Sequence, residues 1–199
     1  TYGSFPEAVE LIRYNVRHLS QAVREGYRIV STEPTAVLAL REEYLLFYNR
    51  AETHFVADHT WELFEYLLEL YQARKLNTDF QEVPYTVGYH APCHLRALKI
   101  GLPALEILRL IPGLSIIHID EGCCGIAGTY GFKKEKYELS AKAGERLSKA
   151  LRRREIAYGV SECSACQLQM AEGSGKPAIH PVQVLARAYG LGNEWPEPG

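Results

Sequence analysis

The sequence predicts an α/β protein built as two pseudo-repeated lobes, each with a parallel, doubly wound sheet flanked by helices, the first lobe incomplete. Three observations carry this expectation. Short apolar runs alternate with longer stretches of helical periodicity, the pattern of a parallel sheet wound by helices. Each run ends in small or polar residues that open the next helix. Segments of the N-terminal part recur in the C-terminal part.

The clearest strands are "YTVGYH" (85–90), "LSIIHID" (114–120), "IAYGVSE" (156–162) and "PAIH" (177–180). The helices that follow them are predicted at 93–111, with a break at Gly101–Pro103, at 133–154, in a shorter stretch after Cys163, and from Pro181 to Leu191. Proline suits a first helical turn because its missing N–H would have no partner there. Earlier in the chain, "YRIVS" (27–31) and "HFVA" (54–57) read as two further strands, among helices at 8–26 and from His59 onward. Apolar stripes run along those helices: Val9, Ile12, Val16, Leu19 and Val23 on one, Leu63, Tyr66, Leu67 and Leu70 on the other. They are expected to pack against the second lobe in a pseudo-twofold arrangement, with a second copy of the chain, a homodimer, covering what remains.

Composition narrows the function classes. The 199 residues are 47% hydrophobic and 23% charged, and Lys+Arg 22 against Asp+Glu 24 gives a net charge of -2. "FKKEK" and "LRRRE" lie on helical segments and read as solvated faces, so nucleic acid is not an expected partner. No apolar run reaches a membrane span, and a cytoplasmic location is expected, with any membrane association made through a partner.

The five cysteines carry the chemistry. Cys93, Cys123, Cys124, Cys163 and Cys166 are odd in number and absent from the first 92 residues, a poor disulfide framework. Their spacing is C-x29-CCG-x37-C-x2-C, counted from Cys93 to Cys123 and from Gly125 to Cys163. Cys93 follows the first clear strand, Cys123 and Cys124 the second, Cys163 and Cys166 the third. All five therefore fall at the carboxyl edge of one parallel sheet, where such folds bind ligands. Gly122, Gly125 and Gly128 in "DEGCCGIAG" would let the backbone pass close to a bulky group, while the order of a dinucleotide-binding loop is absent. Zinc takes four ligands, and five converging thiolates suit an iron-sulfur assembly. A zinc-stabilised interaction domain and a thiol-disulfide domain using Cys163 and Cys166 stand as alternatives, as does simple packing of small apolar thiols. His90, His94 and His180 lie at the same edge as candidates to support the ligands by hydrogen bonding; His118, inside a strand, reads as a packed histidine.

"YHAPCHLRAL", "IDEGCCGIAGTYGFKKEKY", "SECSACQLQM" and "GSGKPAIHPVQVLARAYGL" together resemble the CCG-type cysteine-rich domain. That domain occurs in the B subunit of heterodisulfide reductase, the iron-sulfur subunit of glycolate oxidase, the C subunit of anaerobic glycerol-3-phosphate dehydrogenase and the C-terminal part of large FAD-linked oxidases of the D-lactate dehydrogenase type. "TEPTAVLALREEY" most resembles the last group. The resemblance implies an oxidoreductase component in which Cys93, Cys123, Cys124, Cys163 and Cys166 hold a 4Fe-4S cluster, non-cubane in some relatives. Electrons would pass from FAD on a separate domain or polypeptide to a quinone or disulfide acceptor, and this chain would lack the substrate-oxidising site.

Members of the family usually carry two such lobes. Here "TYG" at 1–3 matches 129–131, "IVSTEPTAVLAL" (29–40) matches "GVSECSACQLQM" (159–170), and His59 matches His180. Glu33 then stands where Cys163 does and Ala36 where Cys166 does, so the first lobe is expected to bind no cluster, with Glu33 capping its helix ahead of Pro34. The expected limits are 1–83 for a truncated first lobe without cysteines and 84–199 for a complete second lobe, ending in a loose tail, "GNEWPEPG".

Overall fold

A computed structural model describes residues 4–192 and 195–196. The chain divides into two compact units, residues 1–66 and 67–199.

The first unit opens with α1 (Phe5–Arg24), which has a proline in its first turn. Its buried side chains, Ile12, Val16, Ser20 and Val23, recur at helical spacing. Ile12 and Val16 form a core with Val56, joined by Leu19, Ile29, Leu40, Tyr44 and Tyr48. Three residues of the α1 stripe, Ile12, Val16 and Leu19, thus pack within their own unit. Strand β1 (Ile29–Ser31) leads to α2 (Pro34–Leu38), a π-helical stretch Ala39–Glu43, α3 (Tyr44–Phe47) and α4 (Ala51–Asp58). The strand expected at 54–57 is therefore helix. Thr53, Val56 and Ala57 are its buried positions, a spacing that a four-residue apolar run is too short to reveal. The second strand, β2 (Thr60–Glu62), follows it and pairs parallel with β1, Ile29 opposite Thr60 and Ser31 opposite Glu62. Helix α5 (Leu63–Gln72) then starts on a reciprocal cap. Glu62 Oε2 accepts from the Phe64 and Glu65 amides, and Glu65 Oε2 accepts from the Glu62 amide.

The second unit is a four-stranded parallel sheet in the order β4-β3-β5-β6. Its strands are β3 (Thr86–Tyr89), β4 (Ser115–His118), β5 (Tyr158–Val160) and β6 (Ala178–Ile179). Between β3 and β4 lie α6 (Cys93–Leu98) and α7 (Pro103–Leu108), separated at the predicted break. Between β4 and β5 come a 3₁₀ turn (Lys134–Lys136), α8 (Tyr137–Ala143) and α9 (Glu145–Leu151), so the helix expected at 133–154 is interrupted at Gly144. Helix α10 (Ser164–Ser174) precedes β6 and α11 (Pro181–Ala188) follows it. Helix α9 packs with α10, and α7 with α11. Leu147, Leu151, Ile156 and Met170 are buried in one apolar cluster, each contributing about 2 kcal/mol by removal from water.

Connections leave β3 toward β4 and leave β5 toward β6, so the chain reverses winding direction between the two central strands. Such a switch point opens a crevice at the carboxyl ends. The tail expected to be loose is packed where described: Trp195 lies against Tyr85 and Tyr158, and the Tyr158 hydroxyl donates to the Pro196 carbonyl. "TYG" at 1–3 and residues 193–194 and 197–199 lie outside the described residues. Among the described residues no helix is long and apolar enough to cross a membrane.

Candidate functional site

All five cysteines sit just past strand ends. Cys93 is the first residue of α6, four residues beyond β3. Cys123 and Cys124 follow β4 in the loop opened by Asp120 and Glu121. Cys163 caps the amino end of α10 in extended backbone, φ -98° and ψ 119°, and Cys166 lies in that helix's first turn. The three loops meet. Cys93 interacts with Cys123, and Cys124 with both Cys123 and Cys166, whose sulfur lies 3.1 Å from that of Cys124; Cys166 in turn meets Cys163. Cys124, Cys163 and Cys166 are buried among Ile119, Ile126, Leu147 and Met170, while Cys93 and Cys123 are exposed. The site therefore has a dry apolar wall and an open side.

Proton affinities differ along this chain of sulfurs. Cys124 is lowered to about 7, first because the Cys166 thiol donates to it, against the cost of burial. Cys166 is pushed well up as the donor to Cys124 and the neighbour of Cys163. Burial, then the proximity of Cys123, raises Cys93 to about 11. The Gly125 amide donates to Cys123 Sγ at 3.3 Å.

The CCG loop is clasped by α8 and α9. Gly125 has φ +100°, and a Cβ there would lie 2.1 Å from the Ser140 carbonyl oxygen. Reciprocally, a Cβ on Gly144 would lie 2.2 Å from the Cys124 carbonyl oxygen. Gly125 is thus required by contact with protein backbone, whereas Gly122 and Gly128 have open space around them. Ser140, buried, donates to the Gly125 carbonyl at 3.0 Å. Two ion pairs hold the loop's approach, Arg96 to Asp120 at 2.6 Å and Arg146 to Glu121 at 2.8 Å. Gly144, Ser140 and the two arginines escaped sequence reasoning, since their partners are set by tertiary approach.

Further polar groups are buried at the same edge. His90 is fully buried, its amide donates to the Val160 carbonyl, and neither ring nitrogen has a hydrogen-bond partner. Burial, then the charge of Arg96, lowers its pKa to about 4. Glu162, beside Cys163, accepts from the Tyr89 hydroxyl at 2.6 Å, and burial raises its pKa to about 7. Its Oε2 and the Ser161 hydroxyl are buried without a hydrogen-bond partner. The polar pair in "VSEC", at the end of an apolar strand, was the available signal for Ser161 and Glu162. His94 is half-buried on α6. His180 caps α11: Nδ1 accepts from the Val182 amide at 3.0 Å, and Gln183 accepts from the His180 amide. His118 packs its ring 5.9 Å from that of Tyr89 but stays exposed, because β4 has no strand on its outer side.

Among the described residues no three His, Cys, Asp or Glu side chains are arranged for a single metal ion. Five sulfur donors from three loops, with buried polar atoms beside them that lack partners, fit a thiolate-bound group of several metal atoms.

Residues 87–171 match the family model described as a CCG cysteine-rich domain. These residues resemble that domain over somewhat less than half of the chain. Over 175 residues, 87% of this chain, the sequence is 34% identical to the C subunit of anaerobic glycerol-3-phosphate dehydrogenase from Escherichia coli K12, covering 44% of that protein. It is 31% identical over 102 residues, 50% of the chain, to the B subunit of fumarate reductase (CoM/CoB) from Methanothermobacter marburgensis, covering 20% of it. To D-2-hydroxyglutarate dehydrogenase of Pantoea ananatis it is 27% identical over 175 residues, 84% of the chain and 16% of that protein. The chain spans less than half the length of these curated relatives. The matched residues contain all five cysteines, while His180 and its helix lie beyond them.

Proposed function

We propose that this chain is the iron-sulfur electron-transfer part of a flavin-linked dehydrogenase. The convergence of five thiols from three loops at one sheet edge is the observation that carries this reading. Cys93, Cys123, Cys124, Cys163 and Cys166 would hold a cluster of the four-iron type, which when bound supplies reversible one-electron storage. The chain's own residues shape its surroundings. The apolar wall of Ile119, Ile126, Leu147 and Met170 excludes water from three of the sulfurs. The Gly125 amide and the amino end of α10 favour negative charge on the thiolates. Cys93 and Cys123 leave the outer side open to a redox partner.

A 2-hydroxy acid is the proposed substrate class of the whole protein, supported by the D-2-hydroxyglutarate dehydrogenase relative; a phosphorylated alcohol is the alternative that the glycerol-3-phosphate dehydrogenase relative favours. Flavin would sit on other polypeptide, and a quinone or disulfide would accept the electrons. Anaerobic purification with iron, sulfide and visible absorption measurements tests the cluster. We expect about four iron and four sulfide per chain, lost in Cys163→Ser and Cys124→Ser with the fold retained. Stoichiometric zinc without sulfide would establish the zinc-stabilised alternative, and a metal-free thiol pair with a reversible disulfide the thiol-disulfide one.

A further inference from the structure

A cleft of about 380 Å³ opens beside α6, lined by Arg96, Lys99, Gly101, Leu102, His118 and Asp120. Its volume lies at the small-ligand end of the range for metabolite sites. Three of its six lining residues are basic. Asp120, its carboxylate, is engaged by Arg96 at 2.6 Å, and Arg96 Nε also donates to the Ala91 carbonyl. Lys99 forms no ion pair among the described residues. It closes α6 in the left-handed region, φ +57°, a conformation that side-chain-bearing residues rarely adopt. Behind the wall lies His90, fully buried with both ring nitrogens lacking hydrogen-bond partners and under the electrostatic influence of Arg96, His118 and Asp120. Arg96 also acts on Cys93, one helical turn away, so the cleft adjoins the exposed side of the cysteine cluster.

We infer that this cleft is a binding site for a small oxyanion-bearing molecule, its carboxylate or phosphate group held between Lys99 and His118 with Arg96 alongside. Charge-assisted hydrogen bonds from an ammonium and an imidazole suit either oxyanion. Leu102 and Gly101 supply a short apolar surface for the rest of the ligand. The site would place a small anionic metabolite next to Cys93. The inference does not rest on the cluster, because α6, the turn after it and the end of β4 form the cleft.

The test uses the full 199-residue chain, labelled with ¹⁵N, at constant ionic strength set by sodium chloride. Inorganic phosphate and succinate are titrated separately while the amide signals of Lys99, Gly101, Leu102 and His118 are followed. Saturable shifts with at least one anion support the site, and the tighter anion names the class. Lys99→Asn removes the charge while keeping a residue that tolerates the left-handed backbone, and should weaken binding on the order of tenfold. His118→Gln provides a second variant, on the strand side of the cleft. Linear, non-saturating shifts with both anions would overturn the inference, as would unchanged affinity in both variants.

Discussion

The two units build the same strand-to-helix corner and furnish it with different chemistry. Glu33 opens α2 in extended backbone, φ -106° and ψ 113°, as Cys163 opens α10 at φ -98° and ψ 119°. Ala36 stands in the first turn that follows, where Cys166 does in the second unit. At the neighbouring strand the pairing sets the register: Ile29 faces Thr60 as Gly159 faces Ala178, which brings Glu62 to the position of His180. Both cap the next helix with reciprocal hydrogen bonds. The match of His59 to His180 is therefore three residues out of register, and His59 instead directs Nδ1 at the Phe55 carbonyl. Glu33 holds the cap position without a capping hydrogen bond from its side chain; the Ser31 hydroxyl bonds both its amide and its carbonyl. The corner is thus a backbone device that tolerates glutamate or cysteine, and metal-binding potential is added by residue identity alone.

If the CCG loop is what distinguishes the second unit, its clasp is the place to break it. Gly125→Ala combines a strained φ with a backbone clash, and we expect a loss on the order of 3 kcal/mol in denaturant unfolding, with cysteine reactivity raised throughout the loop. Gly144→Ala, pressed on Cys124 from the other side, should act in the same direction. Unchanged stability in both would mean that the loop is not held by this contact.

Two buried ionisable groups, both in the second unit, predict opposing pH dependences. His90, lowered to about 4 from 6.5, stabilises the fold above the unfolded pKa, and that contribution is lost as pH falls from about 6.5 to 4. Glu162, raised to about 7 from 4.5, contributes stability that is present below 4.5 and lost as pH rises toward 7. Each is worth on the order of 3 kcal/mol, so the wild-type profile should be shallow across this window. Glu162→Gln should make stability rise with pH, and His90→Gln should make it fall. Unfolding midpoints measured across the interval between the two unfolded-state values and the two shifted ones check the signs, and identical profiles in the two variants would contradict them.

The shared caps sharpen the comparison at smaller scale. His180→Ala should cost about 1 kcal/mol, and Glu62→Ala somewhat more because it is buried and accepts two amides. Smallest of all, Arg146→Ala breaks an exposed ion pair with Glu121 and should change stability by less than about 0.5 kcal/mol.

Much of the second unit was legible in the sequence because its strands are apolar runs and its cysteines each follow one of those runs. The four strands fall within the predicted runs, and the split between α6 and α7 follows from Gly101 and Pro103. What escaped depends on contacts far apart in sequence. The Gly144 break exists to admit the Cys124 carbonyl, and Glu162 meets Tyr89 across 73 residues. "HFVA" offered too few residues to separate helix from strand, and an identical pair of histidines outweighed the sheet register that places Glu62.

Iron anomalous scattering from crystals grown anaerobically would locate metal in both units at once. We predict iron at the carboxyl edge of the four-stranded sheet, within bonding distance of Cys93, Cys123, Cys124, Cys163 and Cys166, and none at Glu33 or Glu62. Iron at the first unit's edge, or a second unit holding only zinc, would contradict the division of roles between the two units.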